Sequence, residues 1–203
     1  LIGISLRNVD NTNIVDIQSY LADYARLVDM IRTYASVPIV LGGSGFTIFP
    51  RRILKAVGAD YGIVGEGERL NLVIEALAQG SDPGAIEGVV TAQGGAELPP
   101  PWQSPLKRSF DPERSHTSFY LKHGAMLNLQ SKRGCPFRCI YCTYPHIEGR
   151  RMRLIPPEEV AAAALELEAA GAKYLFLTDS AFNAHPAHSL AVAEAFIDAG
   201  LKT

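Results

Sequence analysis

Apolar and polar positions along the first 80 residues switch between a strand-like and a helix-like rhythm. Leu1-Ile2-Gly3-Ile4-Ser5-Leu6 is a short apolar run, after which Leu21, Tyr24, Leu27, Val28, Ile31 and Tyr34 recur at helical spacing. Pro38-Ile39-Val40-Leu41 reads as a buried strand and ends in Gly42-Gly43-Ser44-Gly45. Pro50 opens a second helix with Ile53, Leu54 and Val57 on one face, and Gly58 stops it. Asp60-Tyr61-Gly62-Ile63-Val64 is a third strand with Gly65-Glu66-Gly67-Glu68 behind it, and Leu70, Val73, Ile74 and Leu77 mark a third helix. Strand and helix in short alternating steps predict an α/β fold built on a parallel, doubly wound sheet. Ligands of such sheets bind outside the carboxyl ends of strands, where both glycine loops fall.

The rhythm lapses over residues 81–121. Asp82-Pro83-Gly84, Gly94-Gly95 and Pro99-Pro100-Pro101 mark turns, and Gly88-Val89-Val90-Thr91 with Glu97-Leu98 flank the Gly-Gly as a small hairpin inside a linker. Trp102, among prolines, is expected to pin this linker to a domain surface. Ala125-Met126-Leu127-Asn128-Leu129-Gln130 then restores a strand. Pro156-Pro157-Glu158-Glu159 starts a helix whose inner face is Val160, Ala164 and Leu167. Lys173-Tyr174-Leu175-Phe176-Leu177 is a strand with Thr178-Asp179-Ser180 at its carboxyl end, and Leu190, Ala193, Phe196 and Ile197 give a last helix that His185 and His188 open as a solvated cap. Two β-α units with chemistry at strand ends predict the first third of a barrel. The chain opens at Leu1 directly in a strand-like run and stops at Thr203 just past a helix-ending Gly200, which reads as a piece of a longer protein.

Composition narrows the classes. With 203 residues, 47% hydrophobic and 20% charged, the chain has the makings of a sizeable core, which excludes disorder and fibres. No apolar run reaches the roughly 20 residues of a membrane span and no leader is visible, so a cytoplasmic protein is expected. A net charge of -2 offers no global attraction to nucleic acid.

All three cysteines lie between Cys135 and Cys142 in the spacing C-x-x-x-C-x-x-C, wrong for a disulfide scaffold and right for a metal or cofactor. Three thiolates hold three irons of a 4Fe-4S cluster and leave the fourth iron open. A zinc knuckle completed by His146 is the alternative reading of the same residues. Lys122, Lys132, Arg133, Arg138, Arg150, Arg151 and Arg153 surround the loop against one acid, Glu148, an excess that favours thiolates and suits an anionic cluster.

Arg133-Gly134-Cys135-Pro136-Phe137-Arg138-Cys139-Ile140-Tyr141-Cys142 resembles the cluster motif of the radical S-adenosylmethionine (SAM) superfamily. The resemblance implies that Cys135, Cys139 and Cys142 ligate a 4Fe-4S cluster whose open iron chelates the amino and carboxylate groups of SAM. An electron from the cluster then splits SAM into methionine and a 5'-deoxyadenosyl radical. By the same resemblance Tyr141 flanks the adenine, and Thr178-Asp179-Ser180 stands where the family contacts the methionine amino group, so Asp179 and Ser180 are expected to bind cofactor. Gly42-Gly43-Ser44-Gly45 and Gly65-Glu66-Gly67-Glu68 are similar to the loops of the cobalamin-binding domain that precedes the barrel in one large class of these enzymes. Gly42, Gly43, Ser44, Gly65, Glu66 and Gly67 are therefore expected to approach a corrin, with any lower cobalt ligand upstream of Leu1.

The fold so implied is the C-terminal part of a Rossmann-like cobalamin-binding domain over 1–80, a linker with a hairpin over 81–121, and the start of a partial TIM-type (β/α)6 radical SAM barrel over 122–203. The function implied is cobalamin-dependent methylation of an unactivated carbon. It would use SAM, cobalamin and a 4Fe-4S cluster, a small-molecule or peptide substrate, and an external electron donor such as a flavodoxin or ferredoxin. The alternatives are a methylthiotransferase, which carries three further cysteines that residues 1–134 lack, and a non-catalytic iron-sulfur or metal-binding module.

Overall fold

A computed structural model describes residues 1–95, 99–103 and 115–203, the side chains of Ser115 and His116 excepted. The elements of the first half are β1 (Ile2–Ser5), α1 (Leu21–Tyr34), β2 (Ile39–Gly42), α2 (Ser44–Ile48), α3 (Pro50–Val57), β3 (Tyr61–Ile63), α4 (Arg69–Ala78) and β4 (Val89–Val90). Those of the second are α5 (Ser115–His123), β5 (Met126–Leu129), β6 (Lys132–Arg133), α6 (Tyr144–Glu148), β7 (Arg153–Leu154), α7 (Pro157–Ala169), β8 (Tyr174–Leu177) and α8 (Pro186–Asp198). They divide into two compact units, Leu1–Trp102 with Ile140–Glu148, and Gln103–Cys139 with Gly149–Thr203.

The first unit is built on a sheet of order β1-β2-β3-β4 in which β1, β2 and β3 run parallel and β4 is antiparallel. Alternate residues of β2 enter different cores. Ile39 and Leu41 pack with Val28 of α1, Phe46 of α2 and Ile53 and Val57 of α3, while Val40 packs with Ile63, Val73 of α4 and Val89. Helices on both faces explain why the parallel strands read as continuous apolar runs. Each fully buried side chain of this size contributes roughly 1.5–3 kcal/mol.

Helix α3 follows its sequence signals: Pro50 lies in the first turn, and Gly58 at φ 77° accepts the left-handed turn that ends it, its N–H donating to the Leu54 carbonyl at 2.9 Å. In α1 the core-facing stripe is Leu21, Tyr24, Val28 and Ile31, whereas Leu27 and Tyr34 face solvent. Helix α2, too short to leave a periodic signal, buries Phe46 and Thr47.

Only the first arm and the turn of the expected hairpin in the linker fall within the described residues. Val89 and Val90, both fully buried, join β3 as an antiparallel strand, and a turn closed by the Thr91 N–H donating to the Gly94 carbonyl at 2.7 Å brings Gly95 back to Val90. Burying two adjacent valines against the β3 edge is favourable apolar burial. Glu97 and Leu98 lie outside the described residues. Trp102 is pinned as expected: its backbone N–H donates to Glu66 Oε2 at 2.7 Å, and Arg69 lies over its ring at 5.7 Å.

In the second unit β5 and β8 pair in parallel, Met126 opposite Tyr174, and β6 pairs antiparallel with β7. Leu127 and Leu129 pack with Val160, Ala164 and Leu167 of α7 and Val192 of α8. Helix α7 begins at Pro157 with Glu158 and Glu159 in its first turn, as its signals required. Helix α5 occupies a stretch that pattern alone reads as linker. Helix α8 departs in part from expectation: Phe196 packs against this core, but the buried residues are His188 and Val192 while Leu190 and Ile197 are exposed. Among the described residues no helix is long and apolar enough to cross a membrane.

Candidate functional site

Strand β5 ends at Leu129, and six residues later the chain reaches Cys135. Ser131, Lys132 and Arg133 between them are buried, at 0%, 1% and 4% exposure, although all three are polar. Burial of such residues requires partners for their backbone and side-chain groups. The end of β8 supplies several: Thr178 donates from N and Oγ1 to the Leu129 carbonyl at 2.9 and 3.2 Å. Asp179 Oδ1 accepts from the N–H groups of Ser131 and Lys132 at 2.9 and 3.3 Å, and Oδ2 accepts from Ser131 Oγ at 2.5 Å. Ser180 Oγ donates to the Gly134 carbonyl at 3.3 Å.

The Ser131 carbonyl accepts from Ile155 N–H at 3.0 Å and lies 3.1 Å from His188 Nε2. A carbonyl oxygen only accepts, so His188 carries its proton on Nε2. His185 Nδ1 accepts from the His188 N–H, so it caps α8 as expected, but His188 is 6% exposed and anchors the cysteine loop. The expectation of two solvated histidines is therefore corrected for His188.

Gly134 has φ 86°, and a Cβ there would fall on the Arg151 carbonyl oxygen. Only glycine lets the chain turn into the cysteine loop this close to the strand that follows it. Beyond it the Cys135 N–H donates to the Gly149 carbonyl at 3.1 Å. Cys135 is buried, Cys142 half-buried and Cys139 exposed, and none is in a disulfide. Tyr141 is 86% exposed. Among the described residues no three Cys, His, Asp or Glu side chains are gathered around one point.

The donor set nevertheless fits an iron-sulfur cluster. It is three free thiols without a carboxylate among them, which is soft-ligand chemistry. In addition, the Lys132 ammonium is buried and, among the described residues, has no hydrogen-bond partner. A buried unpaired cation costs several kcal/mol, a cost that an anionic group would offset.

The glycine loops follow β2 and β3 in the first unit. Gly43 has φ 97°, and a Cβ there would stand 2.7 Å from the Leu6 carbonyl oxygen, so the close passage of β1 itself demands glycine. Ser44 Oγ donates to the Arg7 carbonyl at 2.9 Å, and Glu66 is buried with its carboxylate on the Trp102 N–H. Gly42 would meet only ordinary contacts, Gly65 has φ 79°, a left-handed conformation that itself favours glycine, and Gly67 has open space around it. Thr47, which the sequence pattern did not single out, joins the two loops: its hydroxyl donates to the Gly43 carbonyl at 3.0 Å and accepts from the Gly65 N–H at 2.9 Å. Beside it, between the α2–α3 corner and α6, lies a cleft of about 380 Å³ walled in part by Thr47, Arg52, Thr143 and His146.

Residues 129–202 match the model of the radical SAM superfamily. Over 93% of its length the chain is 24% identical to the tryptophan 2-C-methyltransferase of Streptomyces laurentii, of which it covers 41%. It is 35% identical over 46% of its length to the ribosomal protein uS12 methylthiotransferase RimO of Desulfosudis oleivorans, of which it covers 21%. Among solved structures, the radical SAM methyltransferase TsrM of Kitasatospora setae, with tryptophan and a SAM analogue bound, superposes on 95% of the chain with a TM-score of 0.81 and 25% identity, 39% of that protein being covered. A second structure of TsrM, with the same TM-score, contains cobalamin and a [4Fe-4S] cluster. The chain thus spans about two fifths of the length of the methyltransferases it is similar to. The buried turn into the cysteine loop, the three free thiols and the match to the radical SAM superfamily model fall on one segment of the chain.

Proposed function

We propose that this chain is part of a cobalamin-dependent radical SAM enzyme that cleaves SAM reductively and methylates an unactivated carbon of a small organic substrate. The observation that carries the reading is the anchored loop of Cys135, Cys139 and Cys142 at the end of β5, in a chain similar over nearly its whole length to a tryptophan 2-C-methyltransferase. In this reading residues 1–80 are the C-terminal part of a Rossmann-like cobalamin-binding domain, 81–121 the connection, and 122–203 the start of a (β/α)6 barrel.

The three cysteines hold a 4Fe-4S cluster. When bound, it supplies the electron that splits SAM, and cobalamin supplies the methyl group. The chain's own residues position and protect. Burial of Cys135 keeps water from the root of the loop, and the basic residues around the motif offset negative charge. Exposed Tyr141 offers an aromatic face for the adenine. Gly42, Ser44, Gly65 and Gly67 present backbone to the corrin, with Gly43 and Glu66 shaping the two loops from behind. An external donor of the flavodoxin or ferredoxin kind supplies the electron, in the reducing cytoplasm. A methylthiotransferase is the second reading, favoured by the likeness to RimO, which covers less than half of the chain.

The full-length protein, reconstituted anaerobically, is expected to bind about four irons and four sulfides together with cobalamin, and to release 5'-deoxyadenosine from SAM under a strong reductant. Replacing Cys135, Cys139 and Cys142 by Ala should abolish iron binding and the visible absorbance of the cluster. Iron retained by the triple variant would sink the cluster assignment, and a wild-type protein that binds iron but never cobalamin would sink the methyl-transfer reading.

A further inference from the structure

We propose that Asp179 is a positioning residue that clamps the root of the cysteine loop, and that Ser131 is the point it grips. This deepens the reading above and rests on it only in assigning the triad to a cluster. Every polar atom of Ser131 is engaged, each set by a different part of the unit. Its N–H and hydroxyl meet Asp179, which follows β8, and its carbonyl meets Ile155, which follows β7, and His188 in the first turn of α8. Thr178 and Ser180, the neighbours of Asp179, hold the Leu129 and Gly134 carbonyls on either side. The segment is thus fixed at Leu129, Ser131, Lys132 and Gly134, and Cys135 is the next residue.

Asp179 accepts three hydrogen bonds from buried donors. A carboxylate has about four lone-pair directions, so these donors take most of its capacity and leave little for the ammonium of a bound cofactor. Bonds to an ionised acceptor are also stronger than neutral ones, and stranding buried donors carries a full desolvation penalty. The clamp therefore acts on the ligand cysteine through the backbone, as outer-shell partners of metal ligands do.

The test uses the full-length protein and two readouts. In the metal-free state, alkylation of Cys135 by iodoacetamide is followed against exposed Cys139 as an internal reference. In the iron-loaded state, iron release to a chelator is followed. D179A should speed Cys135 alkylation relative to Cys139, and iron release, by about tenfold or more. D179N should stay close to wild type in both, because its amide oxygen still accepts from the two N–H groups and its NH2 group can donate to the Ser131 hydroxyl. S131A, a one-atom deletion, should shift the alkylation ratio in the direction of D179A but less, and it stands in if D179A fails to fold.

Unchanged alkylation ratios in D179A and S131A would overturn the clamp. So would a pattern in which D179A and D179N both keep wild-type iron retention and Cys135 protection while losing SAM affinity, the signature of a carboxylate acting on the cofactor. A wild-type protein that takes up no iron would defeat the cluster reading, and the metal-free ratio would still decide the clamp.

Discussion

Lys132 carries a desolvation cost in the second unit. Its ammonium is 1% exposed and, among the described residues, unbonded, three positions before the first cysteine. Methionine has nearly the same length and no charge to desolvate, so Lys132→Met should raise the stability of the metal-free protein by about 1–3 kcal/mol. In the iron-loaded protein the gain should shrink, because an anionic group nearby already compensates the charge. Urea midpoints of both forms check this, and a destabilised metal-free variant would refute it. The residue scale is also where sequence reading was least complete. The cysteine triad is visible because its spacing is written along the chain. The grip of Asp179 on Ser131 joins residues 48 positions apart and uses backbone N–H groups that every residue has, so no pattern announces it. Gly43 shows a related limit: its neighbour is the Leu6 carbonyl, and in sequence a glycine kept for β1 looks identical to one kept for a ligand.

At the scale of elements, apolar periodicity located most strands and the longer helices but not always the face they bury. Helix α8 carries two apolar stripes, and packing against α7 and β5 chose the one with Val192. Val192→Ala should therefore cost roughly 2 kcal/mol, whereas Leu190→Ala, at a position 65% exposed, should change stability by less than about 0.5 kcal/mol. Equilibrium unfolding of the two variants decides it, and equal costs would mean that α8 sits differently. The elements that escaped pattern reading have definite causes. Helix α2 and strands β6 and β7 are too short for a period to repeat, and β6 consists of Lys132 and Arg133, whose burial rests on Asp179 and Gln130 rather than on apolar side chains.

For the whole molecule, the cobalamin assignment is the part with the sharpest consequence. A valine at Gly67 meets open space within the chain, so Gly67→Val should leave folding and iron content intact. If a corrin lies against that loop, the same variant should lose most of its cobalt. Gly43→Val is uninformative by comparison, since it drives a side chain into the β1 backbone at positive φ and should cost stability whatever binds there. Cobalt and iron analysis of purified full-length Gly67→Val makes the measurement, and full cobalt occupancy would remove Gly67 from the corrin site.

Thr47 gives the two glycine loops a property of their own. One hydroxyl donates to the Gly43 carbonyl and accepts from the Gly65 N–H, so the two glycine loops are joined before any ligand arrives. Flexible glycine-rich loops lose much entropy when a ligand orders them, and preorganisation removes that loss from the binding free energy. A corrin bound against the joined loops would therefore meet backbone that is already ordered, and less of its binding free energy would go into ordering it.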